Sequence, residues 1–508
     1  MPESARGMRM FVGIAAAALA LGVAELVAAP FGPAADVRNA VGSAIIDRTP
    51  GALKEWAIRT FGTADKPFLS LSVLVVIAAI AAITAVFETR RAPVASATVV
   101  IAGLIGCAAV LSRPGATLTD VIPTLVGMCC GVAVLRLLLV RRRSDEVVDA
   151  EAVDVGRRKS LAALGLLALG VIAAVGGGLL SRRLHSVAGD RNAFAVPRVD
   201  VAAAPVPPDV QPRDVALPSF ITSNADFYRI DTALLVPQLS RSDWRLKIHG
   251  MVDREISYRF DDLAGLPVVA KVVTLTCVSN PVGGELISNA TWTGYRVRDL
   301  LQRAGIHRDA DMVLSTSVDG FTAGTPLEAL TDGRDALLAV TMNGRPLPEQ
   351  HGYPARLVVP GLYGYVSATK WVVDLELTRF DRAQAYWTRL GWSARGPIKT
   401  ESRIDVPRND QRVRAGPATF GGVAWAQNRG VRAVEVRIDE GDWRPADLGA
   451  NYSNDTWRLW SYRWNATPGS HTITVRATDN TGAVQTPDQA PVMPDGATGF
   501  HRVSFEVA

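Results

Sequence analysis

Hydrophobic positions follow two regimes along the chain. Up to about residue 180 they run almost unbroken, and five apolar stretches (10–29, 67–87, 94–111, 118–140 and 161–180) reach or approach the length of a bilayer-spanning helix. Beyond residue 220 the pattern shortens and diversifies. Residues 244–248 alternate as a half-buried strand, and residues 268–276 form a β-branched apolar run between Pro267 and Pro281. Residues 295–304 carry Val297, Leu300 and Leu301 at helical spacing, with Gly305 as a stop. Another apolar strand is predicted over 356–360. From about residue 412, segments 431–438, 457–464 and 471–477 alternate with period two between Gly-Asp, Pro-Gly and Asn-Thr-Gly turns, the pattern of an antiparallel, immunoglobulin-like sandwich.

These patterns predict a multi-domain chain. Residues 1–180 form an anchor of about five transmembrane helices, and 181–219 a Pro-rich linker expected to act as an extended spacer. Residues 220–402 form an α+β catalytic domain and 403–508 the sandwich. Arg6 and Arg9, Arg90 and Arg91, then Arg141, Arg142, Arg143, Arg157, Arg158 and Lys159 mark the cytoplasmic sides of the spans. The N-terminus is therefore expected inside and everything after Leu180 outside. Glu25 and Arg136, the charges nearest membrane depth, read as interfacial or snorkelling. Gly156-Arg157-Arg158-Lys159-Ser160-Leu161 also resembles a twin-arginine export signal, with Ser160 in place of the usual Phe.

Composition sharpens this picture. The net charge of +5 gathers largely in clusters beside apolar segments, where it sets membrane orientation, so nucleic-acid binding is not implied. All six histidines fall at position 185 or later, which excludes a bis-histidine haem within the spans. Of the four cysteines, Cys107, Cys129 and Cys130 lie in apolar segments, leaving Cys277 without a disulfide partner in the soluble half. Where an apolar strand meets a polar loop, such a residue reads as a buried small hydrophobe, a nucleophile or a thiolate ligand. Zinc or an iron–sulfur cluster needs more cysteines; a metal arriving with its own sulfur ligands needs one.

The run Thr274-Leu275-Thr276-Cys277-Val278-Ser279-Asn280 resembles the cysteine loop of the sulfite oxidase family. Asn224-Ala225-Asp226-Phe227-Tyr228-Arg229, Met342 to Pro348, His351 to Gly361 and Gly364 to Trp371 resemble further family motifs in family order, and the sandwich resembles the family's C-terminal dimerisation domain. The resemblance implies a molybdenum-molybdopterin cofactor (Mo-MPT) with Cys277 as metal ligand. It implies Arg356 and Lys370 as contacts for the pterin phosphate, Ser367 and Thr369 as local hydrogen-bonding groups, His351 and Asn224 bonded to the cofactor, and Phe227 and Tyr228 lining it. Arg229 corresponds to a substrate-binding arginine.

Around the substrate the family pattern changes. Phe321 stands where the family's catalytic tyrosine would align, Asn280-Pro281-Val282-Gly283 replaces an arginine-bearing run, and Asp231 follows Arg229 closely. The expected function is oxygen-atom transfer on a small substrate, either sulfite oxidation or sulfoxide or N-oxide reduction. A separate cytochrome or quinone-linked electron partner, contact with membrane lipid and a homodimer are implied. The competing class is a non-catalytic, membrane-tethered extracytoplasmic binding protein. It accounts for anchor and sandwich, but not for the cysteine loop and phosphate-contact motifs occurring together.

Overall fold

The computed structural model describes residues 3–61, 65–140 and 149–508, and falls into two compact units. Met1–Ser186 and Thr232–Gln238 make the first; Val187–Asp231 and Leu239–Ala508 make the second.

In the first unit, helix Glu3–Ala28 packs against Asp149–His185, Ile122–Leu139 and Asp65–Val86. Small residues make these approaches close. A Cβ on Gly22 would strike the Gly170 carbonyl, and one on Gly170 would strike the backbone of Ala18 and Leu19. Among the described residues, five segments are long and apolar enough to cross a membrane: Arg6–Ala28, Lys66–Val86, Val94–Leu111, Leu118–Leu139 and Arg158–Asn192. They match the five predicted stretches. Helices Val37–Arg48 and Gly51–Phe61, between the first two, are not evident from hydropathy because neither is a long apolar run; Asp36 caps the former by accepting from the Arg38 and Asn39 amides. Glu25 pairs with Arg38 (2.7 Å) and Arg136 with Glu88 (3.7 Å), so both charges have partners. Arg141, Arg142, Arg143 and the side chain of Arg157 lie outside the described residues.

The second unit contains the α+β domain and the sandwich. One sheet orders Val268–Thr276, Ile287–Arg296, Leu337–Met342 and Arg345–Pro346, with Arg356–Val358 also paired to Leu337–Met342. Another orders Ile256–Arg259, Arg245–Gly250, Val372–Thr378, Met312–Ser317 and Thr322–Pro326. Helix Val297–Ala304 buries Val297, Leu300, Leu301 and Ala304. It starts two residues later than its periodicity suggests, because Tyr295 and Arg296 pair with Leu338 and Leu337 and remain strand. The sandwich stacks Glu401–Val406, Gly416–Trp425, Arg458–Ala466 and Asp447–Leu448 against a sheet of Gln411–Val413, His501–Val507, Gly469–Asp479, Val431–Ile438 and Arg444–Pro445. Phe420, Trp460, Ile473, Val475 and Phe505 fill its core.

The Pro-rich segment differs from a free spacer. Val201 bridges to Val269, the Asp200 amide donates to the Val268 carbonyl, and Val210 is buried. Scattered apolar residues without periodicity are enough to lay an extended chain along a hydrophobic surface.

Candidate cofactor and substrate site

Cys277 follows directly on the strand Val268–Thr276, where nine paired residues hold it in register with Ile287–Arg296. The loop that follows is closed on itself: the Cys277 amide donates to Leu286 O (2.9 Å) and the Leu286 amide to Asn280 Oδ1 (2.8 Å). Cys277 is half-buried, and its burial pushes the thiol pKa up, while hydrogen bonds from Ser279 and the Lys370 charge pull it down.

The other motifs converge here. Asn343 and Gly344, both at positive φ, form the two-residue turn between Met342 and Arg345. That turn holds Asn224: Asn343 Nδ2 donates to its Oδ1 (2.8 Å), and Asn224 Nδ2 donates to Met342 O (3.2 Å). Phe227 is buried, stacks on Tyr228 and meets Trp292 and His351 edge-on. The Tyr228 hydroxyl comes within 4.0 Å of a Cβ built on Gly364, so the Gly364 turn stands beside it. Burial and the neighbouring Cys277 keep that phenol protonated, despite Arg356.

Gly352 sits where two cations meet. Its φ of 108° is unfavourable for L side chains, and an added Cβ would lie 3.0 Å from the Cβ atoms of both Arg356 and Lys370. Arg356, 3% exposed, donates to the carbonyls of His351 (3.1 Å), Leu357 and Ala368 (both 3.4 Å) and stands over the Trp292 ring. Among the described residues no carboxylate forms an ion pair with it, and burial lowers its pKa to about 10. His351 Nδ1 is buried without a hydrogen-bond partner, and burial with the charges of Arg356 and Lys370 pushes the ring down to about 3. It is therefore neutral at any ordinary pH.

Lys370 instead pairs with Asp231 (3.1 Å), whose Oδ2 also accepts from Arg229 Nε (2.9 Å). Burial lowers Lys370 to about 8 against the pull of Asp231. The hydroxyls of Ser367 and Thr369 point into the protein: Ser367 donates to Tyr363 O (2.9 Å), and Thr369 shares a hydrogen bond with Ser315 (2.7 Å). As placed, they brace the turn that presents Lys370. Phe321 closes the Met312–Ser317/Thr322–Pro326 hairpin, next to the Tyr386 ring (5.9 Å). That hairpin end is tied to the residue after Lys370, since the Val318 amide donates to Trp371 O (3.0 Å). Sequence reasoning did not single out Trp292 or Tyr386. Trp292 is one of several tryptophans in an apolar strand, and only its place beneath Arg356 marks it.

A single thiol, an unpaired buried guanidinium and an unpartnered imidazole nitrogen fit an anionic, hydrogen-bonding cofactor that brings its own metal ligands. Among the described residues no group of three or more His, Cys, Asp and Glu could hold a bare ion instead. Fold and site thus define a protein of the metal–pterin class.

Known proteins specify the class further. Residues 233–387 match the oxidoreductase molybdopterin binding domain, and 401–475 a bacterial Ig domain. Human mitochondrial sulfite oxidase is 28% identical over 331 residues, covering 55% of this chain and 60% of that protein. An uncharacterized oxidoreductase of Bacillus subtilis, YuiH, is 32% identical over 153 residues, 30% of this chain and 74% of that protein. The sulfane dehydrogenase SoxCD from Paracoccus pantotrophus shares the fold, with a TM-score of 0.50 at 23% identity, over 57% of this chain and 83% of that one. The chain belongs to the sulfite oxidase family of molybdopterin-dependent oxidoreductases. It spans about 60% of the length of the human and macaque sulfite oxidases it matches.

Proposed function

We propose that this chain is a membrane-anchored Mo-MPT oxidoreductase. It transfers an oxygen atom to or from a small, sulfur-containing or N-oxide substrate at the outer face of the cytoplasmic membrane. The observation that carries the reading is Cys277, held at a strand end with the Lys370 charge acting on its thiol, in a domain that also buries an Arg356 without a carboxylate partner among the described residues. When bound, the cofactor supplies the two-electron chemistry and the site of oxygen exchange.

The chain's own residues do the rest. Cys277 gives the metal one thiolate. Arg356 and the Gly352 turn hold the phosphate, and neutral His351 offers Nδ1 to the cofactor. Asn224, fixed by Asn343, and the Phe227–Tyr228 pair bound the cavity and exclude water. Arg229, Asp231 and Phe321 face the substrate, and Lys370, expected at the phosphate, is drawn toward that group by its pairing with Asp231. Electrons pass to or from a separate cytochrome or quinone-linked protein, and the sandwich is the surface for a homodimer. The apolar helices embed the anchor in lipid, N-terminus inside.

Metal and pterin analysis of the detergent-solubilised full chain, made in a host that synthesises the cofactor, tests this reading. Near-stoichiometric molybdenum with a pterin is expected, with an altered metal spectrum in Cys277→Ser. A folded chain with neither would remove the reading in favour of a binding protein.

A further inference from the structure

Cations that line a cavity for an oxyanion are normally left without protein counter-charges, so that the ligand supplies them. Arg356 is in that condition. Arg229 and Lys370 are not: Asp231 Oδ2 accepts from Arg229 Nε at 2.9 Å and from Lys370 Nζ at 3.1 Å. The Asp231 and Lys370 side chains are only 6% and 10% exposed, so solvent screens their pairing weakly, whereas the Arg229 side chain is 38% exposed. Gly352 packs against Lys370 and Arg356 alike, and Tyr228, the residue before Arg229, stacks on Phe227, so the triad lies beside the residues that would hold the cofactor.

We infer that Asp231 is the specificity-determining residue of the site, a built-in counter-ion that turns away dianions and selects an uncharged S-oxide or N-oxide. This rests on the oxidoreductase reading above. A sulfite dianion would have to share two cations with a fixed carboxylate a few ångströms away, and like charges in a weakly screened cavity repel. An uncharged oxide carries its partial negative charge on one oxygen and has no such conflict. Arg229 suits it, because Nε is spent on Asp231 while the terminal N–H groups remain, oriented by that pairing. Lys370 is likewise held by Asp231. In the overall reaction the S–O or N–O bond breaks, the oxygen leaves as water with two protons, and two electrons come from a quinol-linked or cytochrome donor.

The test uses the full-length, cofactor-loaded protein and inorganic sulfate as a non-reacting oxyanion probe, titrated calorimetrically. Wild type is expected to show no saturable sulfate binding. Asp231→Asn should bind sulfate at least about tenfold more tightly, about 1.4 kcal/mol, and Asp231→Glu should behave like wild type. A parallel assay should show wild type reducing trimethylamine N-oxide or dimethyl sulfoxide in preference to oxidising sulfite, with the balance shifted toward sulfite in Asp231→Asn. Sulfate binding by wild type as tight as by the Asn variant, or faster sulfite oxidation by wild type, would overturn the inference. If the Asn variant does not fold, the wild-type titration decides alone: saturable sulfate binding overturns, none supports. Molybdenum and pterin content of the same samples separates the two levels. A loaded wild type that binds sulfate defeats the counter-ion role alone, while a folded, unloaded chain defeats the oxidoreductase reading and the substrate assignment with it.

Discussion

The guanidinium carbon of Arg356 stands 4.9 Å from the centre of the Trp292 ring. A cation on an aromatic face, whose other bonds among the described residues go to backbone carbonyls, keeps its charge available for an anion that is not part of the chain. Replacing Arg356 by Met should lower the retained pterin and molybdenum roughly tenfold or more, the loss of one or two charge-assisted bonds at about 1.5–3 kcal/mol each. Arg356→Lys should recover only part of this, because an ammonium lacks the planar fork. Pterin fluorescence and metal analysis on folded samples measure both.

Gly352→Ala is expected to damage the same site by a different route. The added methyl would crowd Arg356 and Lys370 from a backbone conformation at φ 108°, so about 1–3 kcal/mol of stability should go. A lower melting temperature and reduced cofactor content should appear together. An unchanged melting temperature would show that the turn relaxes freely.

Glu401 predicts a pH dependence of stability. It is 6% exposed, its Oε1 has no partner, and burial raises its carboxyl to about 8 against the Lys399 charge. Between the ordinary carboxylate range and about 8 the folded chain holds a proton that the unfolded chain has lost. Its contribution to stability is therefore full at acid pH and is lost as pH rises to about 8. Glu401→Gln keeps an acceptor for Gln485 and removes the titration. Its melting temperature relative to wild type should climb from about pH 5 to about pH 8 and then level off; a constant difference would contradict the buried, protonated carboxyl.

Topology is tested by reporter fusions. A reporter active only outside the cytoplasm should work when fused at Ala508 and fail when fused after Arg91. Arg157→Lys combined with Arg158→Lys should abolish export of the C-terminal half if the twin-arginine route is used, and leave it unchanged if the pair merely orients the last span.

Leu300→Ala tests the domain core. Leu300 is fully buried on the helix Val297–Ala304, and its truncation should cost about 2–5 kcal/mol. Thermal or chemical unfolding of the solubilised chain reads this directly, with loss of cofactor following only near the melting transition.

Local signals in the sequence determined much of this protein. Apolar length set the five candidate spans, and period-two alternation set the strand Val431–Ile438 at both ends. The β-branched run between prolines set Val268–Thr276, and with it the strand end that carries Cys277. These features depend on neighbours a few residues apart, so the chain itself displays them. Tertiary structure decided what charge pairs with what. Lys370 turns to Asp231, 139 residues away, and Asn224 is held by Asn343, 119 residues away. Trp292 comes to lie under Arg356 only because two strands pair with Leu337–Met342. The extended segment after the last span likewise found its place on the domain surface through burial of isolated residues such as Val210. A side chain's electrostatic role depends on partners and solvent access brought by distant segments, and no local periodicity encodes those.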